Sequence, residues 1–479
     1  VRVVVIGGSA AGLMCALVLA RGGHDVVIVE RDDLAPAADV EAAAAAAFRA
    51  AAPQVVQPHV VLATFREILR ERLPDVYEGI LAAGAVEASL VSQMPPGITD
   101  RAPRPGDERL TFLFSRRATV DWVLARAAAA EPGVEVRYGT PVTGLVADDG
   151  RPPRVRGVQT ARGDLDADLV VDASGRRTAL DRWLAPLGAR RSDVTRAECG
   201  LAYYSRQYRV RDAALPGPLT TRTVVGLDEF VAGIWGGDNG SMQLALAPLA
   251  SDRRFTAARD PAVFDAVLRT VPFCAPWMDL LEPTTALHVM GGLHNTLRRL
   301  VVDGEPVALG VHAVGDVVCT TNPTFARGLS LAARTVAALA DVVAATPGDL
   351  RGQALAMDRV VARDVAPWYA DQAVNDAAAA ARLRHVVEGT PAPVESPSGR
   401  LDFGRLRAAA QTDATAFRAL WRVMGMVGRP EEVYEDPALE ERVREVLVAH
   451  PPVRPPQPTR DELEAALAGA PAARVPVVG

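Results

Sequence analysis

VVVIGGSAAGL, residues 3–13, is the stretch that decides the fold. Val3–Ile6 is a short β-branched run followed by glycine, the pattern of a buried parallel strand. Ala11–Ala20 is apolar on nearly every face, as a helix packed on a sheet is. His24-Asp25 makes a turn, Val26–Val29 reads as a second strand, and Glu30 ends it. Strand, glycine turn, helix and strand make a βαβ unit, the frame of a dinucleotide site. Such sites carry G-x-G-x-x-G in the first turn. Here Gly7 and Gly12 hold the outer positions, Gly8, Ala10 and Ala11 fill the turn, and the middle glycine is replaced by Ser9.

Each position has a physical job. Gly7 allows the tight turn out of the strand, and Gly12 lets the helix lie close to the strands. The middle glycine normally lets backbone approach a pyrophosphate at the helix N-terminus. Serine adds a Cβ and a hydroxyl, yet it stays small and its hydroxyl can donate to a phosphate oxygen. Glu30, with Arg31 beside it, lies about twenty residues beyond the glycines, where an acidic side chain meets a ribose hydroxyl. An acid there suits a ribose without a 2′-phosphate, so FAD or NAD over NADP. Taken alone, the motif leaves open an ordinary βαβ turn with no ligand.

Composition narrows the class. A chain of 479 residues exceeds what one hydrophobic core serves, so two or three structural units are expected. Hydrophobic residues at 49% and charged residues at 23% fit an ordinary globular enzyme. A formal net charge of -6 argues against nucleic acid as a main partner. The 52 basic residues are all arginine; no lysine occurs. Cys15, Cys199, Cys274 and Cys319 form no C-x-x-C and no metal-ligand spacing with histidine. They read as free thiols in a reducing cytoplasm, and no metal is expected. The apolar N-terminus imitates a signal peptide, but its split into strand, turn and helix argues against one. No other segment offers the ~20 uninterrupted apolar residues of a membrane span.

Two later stretches extend the N-terminal motif: DADLVVDASGRRTALDRWL (166–184) and ALGVHAVGDVVCTTNPTFARGLSLAARTVAAL (308–339). Together with residues 3–13 they resemble the FAD-dependent monooxygenase superfamily of the para-hydroxybenzoate hydroxylase type, with its flavin halogenase relatives. The resemblance covers roughly residues 1–345. It implies that Asp316, after Gly315, hydrogen-bonds the ribityl chain of FAD. It implies that Asn322-Pro323 and Gly328-Leu329 open a helix beneath the isoalloxazine ring, whose partial positive charge stabilises the reduced flavin. The common pattern after the proline is x-x-G-Q-G. Here it is Thr324-Phe325-Ala326-Arg327-Gly328, which places Ala326 at a glycine position and adds the charge of Arg327 near the ring. Asp172-Ala173-Ser174-Gly175 matches the second fingerprint, near the pyrophosphate. By the same resemblance Arg117, in SRRATVDWVL (115–124), matches an arginine that opens a helix near FAD, with Arg116 as the alternative register.

The same resemblance implies an α/β architecture, a Rossmann-like FAD-binding domain of the glutathione-reductase type interrupted by an α+β substrate domain. Residues 1–48, 105–185 and 300–345 would form the FAD domain. Residues 49–104 would be a helical insertion, on the helix-period pattern of PHVVLATFREILRERLPDVYEGILAAGA (58–85). The run Pro53–Pro58 is a loop that can line the flavin, and His59 after it reads as a packing or capping residue. Residues 186–299 would be the substrate domain. Leu201–Val210 and Met242–Leu246 alternate as strands, with turns at Pro216-Gly217 and Gly236–Gly240, and 260–282 returns to helix. Tyr203, Tyr204, Trp235, Met290 and Phe325 are the substrate-pocket candidates. Residues 346–479 read as a helical C-terminal region, with a joint at PSGRLDFGRL (397–406) and, after His450, a Pro-rich linker and a short capped helix.

The expected chemistry asks little of side chains. In this superfamily reduced flavin and molecular oxygen give a C4a-hydroperoxide, and the protein positions substrate and excludes water. No catalytic triad is expected and no catalytic residue is assigned. The reading is an FAD-dependent monooxygenase that hydroxylates or epoxidises a small hydrophobic metabolite, in bacterial secondary metabolism. Electrons come from NADPH or NADH, directly or through a separate flavin reductase. The alternatives are an FAD-dependent dehydrogenase or reductase without oxygen insertion, a flavin-dependent halogenase, and a non-catalytic flavin-binding protein. Tryptophan-type halogenases use an active-site lysine and a W-x-W-x-I-P signature. This chain has neither; its nearest string is GIWGGDNG, 233–240.

Overall fold

The computed structural model describes residues 1–34, 37–50, 52–211, 214–393 and 400–469. Its centre is a five-stranded parallel sheet: β1 Arg2–Ile6, β2 Asp25–Val29, β3 Val134–Arg137, β4 Leu169–Asp172 and β5 Val311–Ala313, in the order β5-β4-β1-β2-β3. Register is unbroken: Val4 pairs with Val27 on one side and Val170 on the other. Both faces are covered, so the strands are almost purely aliphatic. Helix α1 (Ala10–Arg21) returns the chain from β1 to β2, and it packs against α2 (Arg117–Ala130) and α3 (Gly328–Ala345). Leu13, Met14, Cys15, Ala16 and Leu17 of α1 are all buried. All strands being parallel, their C-terminal ends lie on one edge, and the loops after β1, β4 and β5 meet there.

A second sheet is antiparallel. Its strands run in the order Arg222–Gly226, Phe230–Gly236, Ser241–Pro248, Tyr203–Val210, Leu281–Pro283, with His288–Met290 also on Tyr203–Val210. Alternation gives this sheet two distinct faces. Tyr204, Tyr208, Met242, Leu244 and Leu246 pack under helices Pro261–Thr270 and Arg460–Leu467. Ser205, Gln207 and Gln243 are buried and bond to residues 56–59. The helix expected over 260–282 is two pieces, Pro261–Thr270 and Ala275–Met278, before the chain enters strand Leu281–Pro283. Pro272 and Pro276 fall between and within them, where proline suits a helix start and not its middle.

After α3 the chain is helical. Leu350–Val360 leads through one π-turn into α4 (Ala366–Glu388), and Phe403–Ala409, Ala414–Met424, Pro437–Ala449 and Arg460–Leu467 follow. Residues 397–399 of the expected joint, and 470–479, lie outside the described residues. Helix Arg460–Leu467 is capped as its sequence demands, with Thr459 and Glu462 forming a reciprocal capping box. By length and composition α3 is apolar enough to cross a membrane. Half of it is buried inside this fold, against α1 and helix Ala63–Arg72. The four cysteines are free and buried. Among the described residues no group of three His, Cys, Asp or Glu is placed to hold a metal ion.

Candidate functional site

A cavity opens where the loops after β1, β4 and β5 meet. The β1 turn is built by exclusion of side chains. Gly7 has φ +109°, and a Cβ there would lie 2.7 Å from Ala173 O. A Cβ on Gly12 would lie 1.8 Å from Gly7 O, so α1 starts as close to β1 as backbone allows. Gly7, Ser9 and Ala11 line the cavity; Gly8, Ala10 and Gly12 sit behind them. Ser9 is the N-cap residue of α1, but its hydroxyl does not cap the helix. It donates to Asp121 Oδ2 at 3.0 Å and accepts from Arg117 Nη2 at 3.3 Å. The first turn of α1 also carries no acidic residue, so its N–H groups have no side-chain anion.

Glu30 is buried at the end of β2 and its carboxylate is shared. Oε2 accepts from Gly8 N at 2.7 Å, Oε1 accepts from Asp32 N at 2.9 Å, and Arg49 Nη2 lies 2.8 Å away. Arg31 lines the same end and is half-exposed. The register of the SRRATVDWVL stretch is resolved. Arg117, the first residue of α2, lines the cavity and bonds Asp121 Oδ1 at 2.7 Å. Arg116 turns away and is held by Asp238 and Glu41.

Asp172 does not line the cavity. Its buried carboxylate accepts from Ser174 N at 2.9 Å and from the Thr178 hydroxyl, so it ties down the loop whose Ala173, Ser174 and Gly175 form the wall. Asp316, by contrast, lines the cavity, and its carboxylate makes no hydrogen bond among the described residues. Burial pushes its pKa up, and Arg117 and Arg176 oppose that rise. Gly315 is buried behind it, its N–H donating to Thr335 Oγ1 at 3.0 Å.

Pro323, Ala326, Gly328 and Leu329 line the next wall. Ala326 takes the left-handed conformation, φ +57°, that a glycine would take at no steric cost. Arg327 also lines the cavity, but its charge is already paired. Its guanidinium is fully buried, ion-paired with Asp371 of α4, and stacked near Phe325 and Trp368 at 4.7 and 5.0 Å. Asn322 is fixed from three sides. Its N–H donates to Asn295 Oδ1 at 2.6 Å, its Nδ2 to Asp376 Oδ1 at 2.8 Å, and its Oδ1 accepts from Tyr203.

Of the expected pocket residues only Met290 lines the cavity. Tyr203 spends its hydroxyl on Asn322 and Thr324. Phe325 meets Phe403 edge-on at 4.8 Å. Trp235 packs against the main core cluster, and Tyr204 faces the helices under the antiparallel sheet. Tyr203, Tyr204 and Trp235 were candidates for pocket or core, and packing and hydrogen bonding within the protein claim them.

Sequence reasoning missed several wall residues. Arg49 follows a run of alanines and carries no local signal. Arg176, Arg177 and Arg182 line the cavity with no ion pair among the described residues. His59, read as a packing residue, also lines it. Gln243 grips the His59 backbone at both ends, accepting from its N and donating to its O, each at 3.0 Å. His59 Nδ1 lies 2.9 Å from Gln57 O, so Nδ1 carries the proton and Nε2 is a bare acceptor. Burial and the Arg117 charge lower its pKa to about 4. The signal was present in part: polar Ser205, Gln207 and Gln243 alternate with large apolar residues, which marks a buried polar face.

Comparison with known proteins agrees with this geometry. Residues 2–178 match the family model of FAD dependent oxidoreductases. The chain is 26% identical over 442 residues to Protein Rv3254 of Mycobacterium tuberculosis, covering 86% of each chain. Among solved structures it is similar to PqsL of Pseudomonas aeruginosa, described as a probable FAD-dependent monooxygenase, at 18% identity, covering 81% of this chain and 99% of that one, with TM-score 0.57. It is also similar to the flavin-dependent brominase Bmp2, at 17% identity, covering 94% and 100%, with TM-score 0.59. Residues 2–178 thus match the model of that family, and the chain shares its fold with PqsL and Bmp2.

Proposed function

We propose that this chain is an FAD-dependent monooxygenase acting on a small hydrophobic molecule. The observation that carries it is Asp316: a carboxylate with no hydrogen bond among the described residues, in a cavity shared with the Gly7 turn, the α1 N-terminus and Arg117. A carboxylate in that position accepts hydrogen bonds from a polyol, and a bare helix N-terminus beside an arginine receives a diphosphate. FAD presents both groups, so the residues present fit it. When bound, FAD supplies the two-electron chemistry and the activation of oxygen.

The protein's own part is positioning and exclusion. Arg117 and the α1 N-terminus hold negative charge. Glu30, braced by Arg49, offers its remaining lone pairs to a ribose hydroxyl. The Pro323–Leu329 wall presents the start of α3, whose partial positive charge favours an anion on its side. Met290 and Leu293 supply an apolar surface to a substrate, and His59 Nε2 supplies an acceptor held rigid by Gln243. In this reading 1–48, 105–185 and 300–345 form one FAD-binding domain, interrupted by 49–104 and 186–299 and followed by the helical region from 346. NADPH or NADH is the electron source, directly or through a reductase, and secondary metabolism in the cytoplasm is the setting.

The test is oxygen. The purified chain should take up FAD stoichiometrically, and product formation should stop under anaerobic conditions. Full anaerobic turnover with another electron acceptor would overturn the monooxygenase in favour of a dehydrogenase. Failure to bind FAD would overturn both.

A further inference from the structure

The stretch before helix Ala63–Arg72 is tied to the polar face of the antiparallel sheet. Ser205 Oγ donates to Gln57 Oε1 at 2.7 Å, and Gln207 Nε2 donates to Val56 O at 3.3 Å. Gln243 holds His59 at both its N and its O, with a further bond from Nε2 to Gly236 O at 3.3 Å. Gln207 and Gln243 face each other in register on neighbouring strands. All three polar side chains are buried. Burying them costs desolvation, and in each case the cost is offset by a hydrogen bond to the same short stretch, 56–59.

What that stretch presents to the cavity is the His59 ring. Nδ1 lies 2.9 Å from Gln57 O, and a carbonyl only accepts, so Nδ1 holds the proton. Nε2 then carries a lone pair, and among the described residues no hydrogen bond reaches it. His312 Nε2 is also unpartnered, but it is shut in the core, whereas His59 stands in a cavity wall. Burial and the Arg117 charge keep the ring neutral against the weaker pull of Asp121. The ring shares its support with the apolar wall. Ser205, which holds Gln57, pairs in register with His288, and Tyr203 pairs with Met290. One strand, Tyr203–Val210, therefore carries both the stretch of His59 and the strand of Met290. Asp316, the acceptor assigned to the polyol of FAD, comes from the other sheet.

We propose that His59 is a specificity-determining residue: its Nε2 accepts a hydrogen bond from one O–H or N–H of an otherwise apolar substrate and so fixes that substrate's orientation. The inference rests on the proposed function and adds a substrate class to it, a molecule with a neutral donor on an apolar body. A carboxylate edge would set lone pair against lone pair, and a pure hydrocarbon would leave the nitrogen stranded. A site built around a substrate's O–H or N–H rejects the analogue that lacks it.

The test is binding without turnover, in protein saturated with oxidised FAD and given no electron donor. Calorimetry compares 2-naphthol with 2-methoxynaphthalene, and indole with 1-methylindole, pairs in which a methyl group replaces the donor hydrogen. At least one donor should bind about tenfold more tightly than its methylated partner. In His59→Phe that preference should vanish. In His59→Gln, whose Oε1 stands near the place of Nε2, most of it should return. FAD content should be unchanged in both variants. A wild type that prefers neither donor, or a His59→Phe that keeps the preference, would overturn the proposal. Loss of FAD from His59→Phe but not from His59→Gln would do the same, because the acceptor would then serve the cofactor. Should His59→Phe fail to fold, nitrogen-15 NMR of the wild type decides: the His59 Nε2 resonance should move upfield with the donor probe and stay in place with its methylated partner. A resonance that ignores both sinks the assignment. A wild type that takes up no FAD overturns the proposed function; a flat comparison in FAD-saturated protein overturns this inference alone.

Discussion

At the scale of single residues, the two departures from the nucleotide motif have different physical meanings. Ser9 stands where glycine is usual, yet its φ of -107° is ordinary and its hydroxyl is spent on Asp121 and Arg117. Ser9→Gly should therefore keep FAD. Ser9→Leu should lose it, because a branched side chain would stand in the mouth of α1; normal flavin content after purification of Ser9→Leu would place the diphosphate elsewhere. Ala326 is the reverse case, small enough but strained. A left-handed alanine costs roughly 1 kcal/mol, part of which glycine gives back through a more flexible unfolded chain. Ala326→Gly should raise the calorimetric midpoint by about 1–2 °C and leave flavin binding intact. His312, buried in β5, is held neutral by burial, with its pKa lowered to about 4 from the usual 6.5. Its native pKa is depressed, so between pH 6.5 and 4 the unfolded chain binds more protons than the folded one. Stability is full above pH 6.5 and falls as pH drops toward 4, by about 2 kcal/mol at pH 5. His59 contributes with the same sign. His312→Phe should flatten that loss, seen by comparing denaturant midpoints at pH 7 and 5.

At the scale of elements, the cavity wall depends on a helix the motifs do not mention. Asp376 of α4 is buried and accepts from Asn295 Nδ2, Asn322 Nδ2 and Gln372 Nε2 at 2.7, 2.8 and 2.9 Å. Asn322 in turn sets the Pro323–Ala326 turn. Asp376→Leu would strand three buried donors, a loss of about 3 kcal/mol or more. Because the stranded groups hold the turn, FAD affinity should fall at least tenfold, measured by flavin fluorescence titration. Wild-type affinity in a folded Asp376→Leu would show that the turn keeps its shape unaided. Local sequence made the first half of this visible and not the second. Residues 3–30 show strand, turn, helix and strand because glycine geometry and apolar period are local properties. Asn322 meets Asp376 across 54 residues, and His59 meets Gln243 across 184. Such pairings are set by topology, and nothing near either partner announces them.

At the scale of the whole molecule, the same limit explains which cavity residues were legible. Those on the three loops at the ends of β1, β4 and β5 follow from motif and strand order. Those contributed from elsewhere, Arg49, His59 and Met290, come from segments without a shared pattern, and of these only Met290 was expected as pocket. The tyrosines and tryptophan stayed ambiguous in the sequence because aromatic residues in a half-buried strand serve core and ligand alike, and alternation alone does not say which face is which. The C-terminal helix shows what tips the balance. Arg460–Leu467 is only eight residues long, too short to hold itself in water. It persists because Leu463, Ala466 and Leu467 are buried against helix Pro261–Thr270, and because Arg460 pairs with Glu229. The antiparallel sheet's core is thus completed by a segment that begins 170 residues beyond its last strand, His288–Met290. Leu463→Ala should cost about 3 kcal/mol, as a leucine removed from a closed core does. No residue of that helix lines the cavity, so FAD affinity should hold while the melting midpoint falls. Val448→Ala, at a position 78% exposed, serves as the control that should change neither. Equal midpoints for Leu463→Ala and Val448→Ala would mean that the helix is a passenger and that the sheet closes its core without it.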